Sequence, residues 1–223
     1  QLAAERLAMK LGGKLGDNEQ QVLLTKSVKT IVDQVDAMKR LVNEFRDYAR
    51  LPAAQLRPVD LNALLEDVLA LYTMEQADDD QAERVPVRYE LDPQCPPIMG
   101  DDQQLRQVIH NLVQNAQDAT EGREEREVLV RTQWVNASQR VRLLVRDTGT
   151  GFSESILARA FEPYVTTKAK GTGLGLAVVK KIADEHGARL EIGNRQAGGH
   201  ISGAQVSISF PVAVAVAQQP RQT

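Results

Sequence analysis

Residues 17 to 50 contain neither glycine nor proline, so this stretch can form one long, unbroken helix. Apolar or small residues recur at Leu24, Val28, Ile31, Val35, Met38, Val42, Phe45 and Ala49, in alternating steps of four and three. Such spacing draws a seam along one side of a helix. The opposite side carries Lys26, Lys29, Asp33, Asp36, Arg40 and Glu44, while Val32, Leu41 and Tyr48 widen the stripe beyond a two-stranded seam. That width favours a helical bundle. Pro52 marks the end of the helix. Upstream, Leu2 to Leu11 reads as the end of another helix, closed by Gly12-Gly13. Two helices joined by a short loop make an antiparallel hairpin. One hairpin cannot cover so wide a stripe, and a homodimeric four-helix bundle is predicted. The alternative is a helix that packs on its own globular domain.

Composition narrows the remaining classes. The chain has 223 residues, 42% hydrophobic and 26% charged, enough apolar content to build a core. Its 27 Lys+Arg against 30 Asp+Glu give a formal charge of −3, which argues against non-specific nucleic-acid binding. No apolar run approaches the roughly 18 residues of a membrane span, and no signal peptide opens the chain. The single Cys95 excludes an internal disulfide framework and a multi-cysteine metal site, and it reads as a loop thiol.

From about Pro58 the pattern changes. Asp60 is a good N-cap for a helix bearing Leu61, Leu64, Leu65, Val68 and Leu69. Asp78-Asp79-Asp80 reads as a solvated loop, and Val87, Tyr89 and Leu91 alternate as a strand. Asp101 opens a helix with Leu105, Val108, Ile109, Leu112, Val113 and Ala116 on one side. Val128, Val130, Thr132 and Trp134 alternate, then Val141, Leu143 and Val145, across a polar Asn136-Ala137-Ser138 turn; this predicts a hairpin. Ser153 or Ser155 starts a short helix, and a long helix follows Gly173 and ends at His186-Gly187. His186 reads as a charge interacting with that helix end. Arg189 to Ile192 and Val206 to Phe210 form two further strands, and the tail after Pro211 is expected to fray. The fold class is α+β, one mostly antiparallel sheet covered on one face by helices.

Four clusters could carry chemistry. In His110-Asn111-Leu112-Val113-Gln114-Asn115-Ala116, Asn111 and Asn115 lie one turn apart on one helix face. Two amide oxygens so placed suit a hard cation such as Mg²⁺ held mainly by phosphate and water, or they are simply two exposed asparagines. In Arg146-Asp147-Thr148-Gly149-Thr150-Gly151, a carboxylate at a strand end can accept a hydrogen bond from an exocyclic amine, and the glycines let backbone approach a flat ligand. An ordinary strand-ending turn is the other reading. Phe161 to Lys168 joins a short helix to a Thr- and Lys-rich loop, which suits a phosphate-facing lid or a plain surface loop. Gly171-Thr172-Gly173-Leu174-Gly175-Leu176 places backbone amides at a helix start, an anion site. It is neither a Walker A loop nor a dinucleotide fingerprint, since no Lys-Ser/Thr follows and no βαβ unit surrounds it.

Taken in order, these strings closely resemble the N box, first glycine box, F box and second glycine box of sensor histidine kinases, and Gly203 to Pro211 resembles the last strand of the same domain. The first part is similar to a dimerisation and phosphotransfer hairpin. The wording Phe-Glu-Pro-Tyr-Val-Thr-Thr-Lys looks most like nitrogen-regulation sensor kinases of the NtrY/NtrB type. The resemblance implies a Bergerat-type (GHKL) ATP-binding α/β sandwich, shared with Hsp90-type ATPases and gyrase, with ATP and Mg²⁺ as cofactors. By position it implies that Asp147 binds the adenine amine and that Gly149 and Gly151 line the base pocket. Asn115, with Asn111 beside it, would hold Mg²⁺. Thr166, Thr167 and Lys168 would belong to the lid, mobile without nucleotide. Gly171, Thr172, Gly173, Leu174, Gly175 and Leu176 would cradle the phosphates.

Some positions depart from the pattern. Thr148 and Thr150 stand where Asn and a bulkier or apolar residue are often seen, and Asp118 stands where many relatives carry a basic residue. No His-Glu-x-x-Asn-Pro-like acceptor box occurs, and His110, His186 and His200 all lie outside the bundle helix, so no catalytic residue is assigned in this chain. The chain is expected to start shortly after the acceptor. Three regions are expected: a partial hairpin over 1–56, a catalytic domain over 57–212 and a tail over 213–223. The expected activity is a protein-histidine kinase that passes phosphate to a response-regulator receiver domain, from a cytoplasmic fragment of a protein anchored in the inner membrane. An ATP-gated dimerisation module or a GHKL-type ATPase without kinase activity is the alternative. No nucleic-acid or membrane contact by the fragment is expected.

Overall fold

A computed structural model describes residues 18–49, 51–74, 85–168 and 171–213. The expected first helix over Leu2–Leu11, the Asp78–Asp80 loop and the tail from residue 214 lie outside the described residues. The chain divides into two compact units, Gln1–Leu51 with Lys168–Thr172, and Pro52–Thr167 with Gly173–Thr223. In the first unit, α1 runs over Asn18–Ala49 as one 32-residue helix, as the absence of glycine and proline permits. Its hydroxyls turn back on the helix, Ser27 Oγ donating to the Leu23 carbonyl at 2.8 Å and Thr30 Oγ1 to Lys26 at 2.9 Å. Val28 is buried, but Ile31, Met38, Val42 and Phe45 of the seam stay exposed.

The second unit is an α/β sandwich. Its elements in order are β1 (Arg57–Val59), α2 (Leu61–Met74), β2 (Val87–Glu90), β3 (Ile98–Gly100), α3 (Asp102–Thr120), β4 (Val128–Val135), β5 (Arg140–Asp147), α4 (Glu154–Arg159), α5 (Gly175–Glu185), β6 (Arg189–Ala197) and β7 (His200–Pro211). The main sheet has the order β2-β4-β5-β7-β6, antiparallel except for the parallel β2–β4 edge. A 3-10 turn over Asn136–Ser138 joins β4 to β5 and sets the register Val128↔Asp147 to Val135↔Arg140. Side chains alternate across the sheet, so Val128 and Val130, Val141, Leu143 and Val145, and Val206, Ile208 and Phe210 are buried under the helices. The helices supply Leu65 and Leu69 from α2, Leu105, Ile109 and Leu112 from α3, and Val179 and Ile182 from α5. At about 1.5–3 kcal/mol per buried aliphatic side chain, this layer is the main source of the domain's stability.

Capping residues fix where the helices start. Asp60 Oδ1 accepts the amides of Asn62 (2.9 Å) and Ala63 (3.1 Å), ahead of α2. Asp101 Oδ1 accepts the amides of Gln103 (3.0 Å) and Gln104 (3.2 Å), ahead of α3. Its Oδ2 accepts Gln55 N at 2.9 Å, and Gln104 Nε2 donates to the Pro52 carbonyl at 2.8 Å, so the irregular segment ahead of β1 is tied down at this helix start.

Three sequence expectations need correction. His186 is not a charge at a helix end: it is 2% exposed, with Nδ1 2.8 Å from the Ile182 carbonyl and Nε2 accepting Asp101 N at 2.9 Å. An imidazole that donates from Nδ1 and accepts on Nε2 is neutral, and it braces the last turn of α5 to the cap of α3. Tyr89 is half exposed because β2 is an edge strand, which stops at Glu90 before Leu91. The last two strands extend well beyond Ile192 and start before Val206, meeting in a hairpin at Gly198-Gly199.

Candidate functional site

The N-terminal end of α5 is the focus of the site. Leu174 precedes the helix, fully buried, and no side chain among the described residues caps the helix. The amides of a first helical turn have no partner within the helix, so this end favours an anion. α3 lies alongside. Asn111 Nδ2 is 3.5 Å from the Gly175 carbonyl, and a Cβ added to Gly175 would stand 3.3 Å from Asn115 Nδ2. The structure thus brings Asn111, Asn115, Leu174 and Gly175 together, with Leu176 in the first turn of the same helix.

Asp147 ends β5, facing inward and 6% exposed. Its Oδ1 accepts two backbone amides, Gly149 at 2.8 Å and Ala204 at 3.0 Å, which hold the carboxylate in one orientation. Its main-chain carbonyl accepts Arg195 Nη1 at 2.9 Å. The loop that follows is tightly seated. A Cβ at Gly149 would meet the Ala119 carbonyl at 2.4 Å, at the end of α3. Gly151 has φ +74°, and a Cβ there would strike Ile201 and Asn194. Asn194 clamps the next peptide from both sides, accepting Phe152 N at 2.7 Å and donating to Phe152 O at 2.8 Å. Thr148, the unusual residue of this loop, donates to Glu125 O at 2.8 Å and accepts Glu127 N at 3.0 Å. Arg123 Nη2 donates to Gly149 O at 3.0 Å.

The loop after α4 is held differently. Ser153, not Ser155, caps α4, and Arg159 pairs with Glu162 at 2.7 Å. Tyr164 has φ +67°, and its amide donates to the Gly173 carbonyl at 3.0 Å. A Cβ on Gly173 would lie 2.6 Å from the Tyr164 carbonyl carbon, so only glycine permits this clasp. Thr166 and Thr167 are exposed in this unit. Lys168, Gly171 and Thr172 belong to the other compact unit, where Gly171 N donates to Lys168 O at 3.1 Å; residues 169 and 170, the middle of the expected lid, lie outside the described residues. Asp118 Oδ1 accepts Gln114 Nε2 at 2.9 Å along the outer side of α3.

Sequence reasoning did not single out Asn194, Arg195, Arg123 or the Ala204 amide as site components. Gly203-Ala204 was legible only as a strand, and Asn194 carried no local signal. Among the described residues no group of three His, Cys, Asp or Glu could hold a metal, and no helix is long and apolar enough to cross a membrane.

Residues 100–214 match the family described as histidine kinase-, DNA gyrase B-, and HSP90-like ATPase. A sensor histidine kinase of the NtrY-like kind from Rickettsia conorii is 32% identical over 200 residues, covering 90% of this chain and 32% of its own length. The nitrogen regulation protein NtrY of Azorhizobium caulinodans is 30% identical over 206 residues, covering 89% of this chain and 25% of its own. The crystal structure of full-length ShkA in complex with AMPPNP is similar with a TM-score of 0.65 at 28% identity, over 96% of this chain and 45% of that one. The chain spans about a third of the length of the first curated relatives it matches.

Proposed function

The chain belongs to the histidine kinase-, DNA gyrase B- and HSP90-like ATPase family and resembles NtrY-like sensor histidine kinases, and from that premise we propose that it is the ATP-binding catalytic part of a protein-histidine kinase. Asp147 accepts the exocyclic amine of adenine, and Gly149 and Gly151 line the base. Gly171, Thr172, Gly173, Leu174, Gly175 and Leu176 receive the phosphates at the amide-rich start of α5, with Thr166, Thr167 and Lys168 as the lid. Asn115 and Asn111 offer two amide oxygens on one helix face. That donor set fits Mg²⁺ when phosphate oxygens and water complete its shell, which is how this cation is usually held. Bound there, Mg²⁺ would neutralise phosphate charge.

Phosphoryl transfer depends on positioning and charge stabilisation more than on covalent help from the protein. The γ-phosphorus bond to the bridging oxygen breaks as a bond to an imidazole nitrogen forms, with ADP leaving. These residues contribute the fixed purine end, the amides around the phosphates and exclusion of water by the lid. The 223 residues hold no His-Glu-x-x-Asn-Pro-like box, so the acceptor is a histidine outside this sequence. From there the phosphoryl group passes to an aspartate of a response-regulator receiver domain. The seam of α1 is the surface through which two copies form a four-helix bundle. The fragment lies on the cytoplasmic side of a protein anchored in the inner membrane.

The observation that carries the reading is the orientation of Asp147 by two backbone amides at a strand end. It is supported by the approach of Asn111 and Asn115 to the glycine-opened start of α5. Titration calorimetry with adenylyl imidodiphosphate and Mg²⁺ tests it. Binding is expected, and Asp147→Asn should weaken it by about 30-fold, the order expected for losing a hydrogen bond to a charged group. A silent titration would sink the reading. Incubated with labelled ATP, this chain should acquire no acid-labile label, whereas a longer chain with the upstream helix should. Steady ATP release of phosphate without labelling of either would favour an ATPase or an ATP-gated dimerisation module.

A further inference from the structure

The main sheet has a second face, turned away from the helices, and arginine lines it. Alternation puts Val130, Val141, Leu143, Val145 and Val206 under the helices, so Arg131, Arg142, Leu144, Arg146, Gln205 and Ser207 face the other way. The register arranges them. Arg131 stands opposite Leu144 on the neighbouring strand, while Arg142 and Arg146 flank Leu144 along β5, each about 7 Å away along the strand. Ser207 and Gln205 stand opposite Leu144 and Arg146 on β7. The three arginines therefore surround one leucine, and with Gln133 they line an open depression of about 160 Å³.

The charge there is unbalanced. Arg131 is engaged by Glu90, its Nε donating at 2.7 Å. Arg142 and Arg146 make no side-chain hydrogen bond or ion pair among the described residues, and the Nε atom of each is covered by its surroundings without an acceptor. The covered Nε atoms limit how the two guanidinium groups can move, and among the described residues no carboxylate pairs with them. Glu191 is the single carboxylate in the lining. A buried donor without an acceptor is costly, and a planar fork of donors is best met by a multivalent oxyanion that bridges two of them. An extended polyanion suits the site less well, because the chain as a whole carries a formal charge of −3 and the lining has no aromatic ring on which a base could stack.

We propose that Arg131, Arg142 and Arg146, with Gln133, Gln205 and Ser207, form a binding site for a compact condensed phosphate of the pyrophosphate type, on the sheet face opposite Asp147. This inference does not rest on the nucleotide site, and one experiment separates the two. Inorganic pyrophosphate is titrated into the 223-residue chain while backbone amides are followed by NMR. Shifts are expected at residues 131, 142–146 and 205–207. Arg142→Gln combined with Arg146→Gln should weaken pyrophosphate binding at least about tenfold, with adenylyl imidodiphosphate affinity unchanged. Asp147→Asn should leave the sheet-face shifts in place. Arg146→Lys keeps the charge but loses the fork; it should weaken binding about threefold, and it carries the test if the double variant melts early. The proposal is overturned by shifts confined to residues 111–115 and 171–176, by equal pyrophosphate affinity in the arginine variants, or by cosedimentation with phosphatidylglycerol vesicles in the absence of any pyrophosphate binding.

Discussion

Asp147 shows how little freedom a single carboxylate can have. Gly149 and Ala204 supply amides to one of its oxygens, and Gly203 presses against its main chain so closely that a Cβ would lie 1.9 Å from the Asp147 carbonyl oxygen, at φ +140°. Gly203→Ala should therefore force β7 away from β5. We expect it to cost about 2–4 kcal/mol in a urea melt, in the range of strain at a special backbone conformation, and to weaken nucleotide binding as well. A melt within about 0.5 kcal/mol of the parent would show that the strand end yields. At this scale the sequence was informative about the side chains that the fold gathers at the candidate site. Asp147, Asn111, Asn115 and the glycines stand in recognisable strings. It was mute where the partner is a backbone amide, as at Ala204, or where a lone polar residue reaches across from a distant strand, as Asn194 does to Phe152.

Helices α3 and α5 are joined by a cross-brace that no periodicity foretells. His186 ends one and holds the amide of Asp101, which caps the other. His186→Ala leaves that amide without a partner beside a cavity, while the Ile182 carbonyl keeps the backbone amide of residue 186, and should cost about 2–4 kcal/mol by denaturant unfolding. Burial pushes the Asp101 carboxyl up, but the amides of Gln55, Gln104 and Gln103 outweigh it and hold the group below the usual carboxylate value. A carboxyl lowered on folding stabilises above its unfolded value, about 3.9, and that share is lost as pH falls through the lowered folded value. Asp101→Ser keeps a cap and removes the titration. It should flatten the acid limb of a stability curve below about pH 4, and an unchanged limb would assign the acid loss elsewhere. The long elements were legible in advance because three or more turns of apolar spacing outweigh local noise. The three-residue strands β1 and β3 were not, since so short a run carries no period, and the parallel pairing of β2 is set by packing at the sheet edge.

The whole molecule consists of two units with different solvent habits. The sandwich covers its core itself, but α1 leaves Ile31 at 54%, Met38 at 66% and Val42 at 61% exposed along one stripe. On the proposed bundle, Ile31→Glu with Val42→Glu should turn a dimer into a monomer in sedimentation velocity at micromolar protein, while the sandwich keeps its melting temperature. A parent chain that sediments as a monomer at 100 µM would refute the bundle. The helix was legible from end to end, and its partner was not, because a seam declares that something covers it without saying what.

Strand β5 gives its last two residues to opposite sides, Arg146 to the open face and Asp147 to the helices. Because side chains trade sides at every step, inserting a single residue ahead of this pair would bring a guanidinium beneath α3 and strand the carboxylate in water. An insertion of two restores the parity. Length variation within this strand should therefore survive selection only in even increments, making β5 a ruler against which divergent copies of the domain can be aligned.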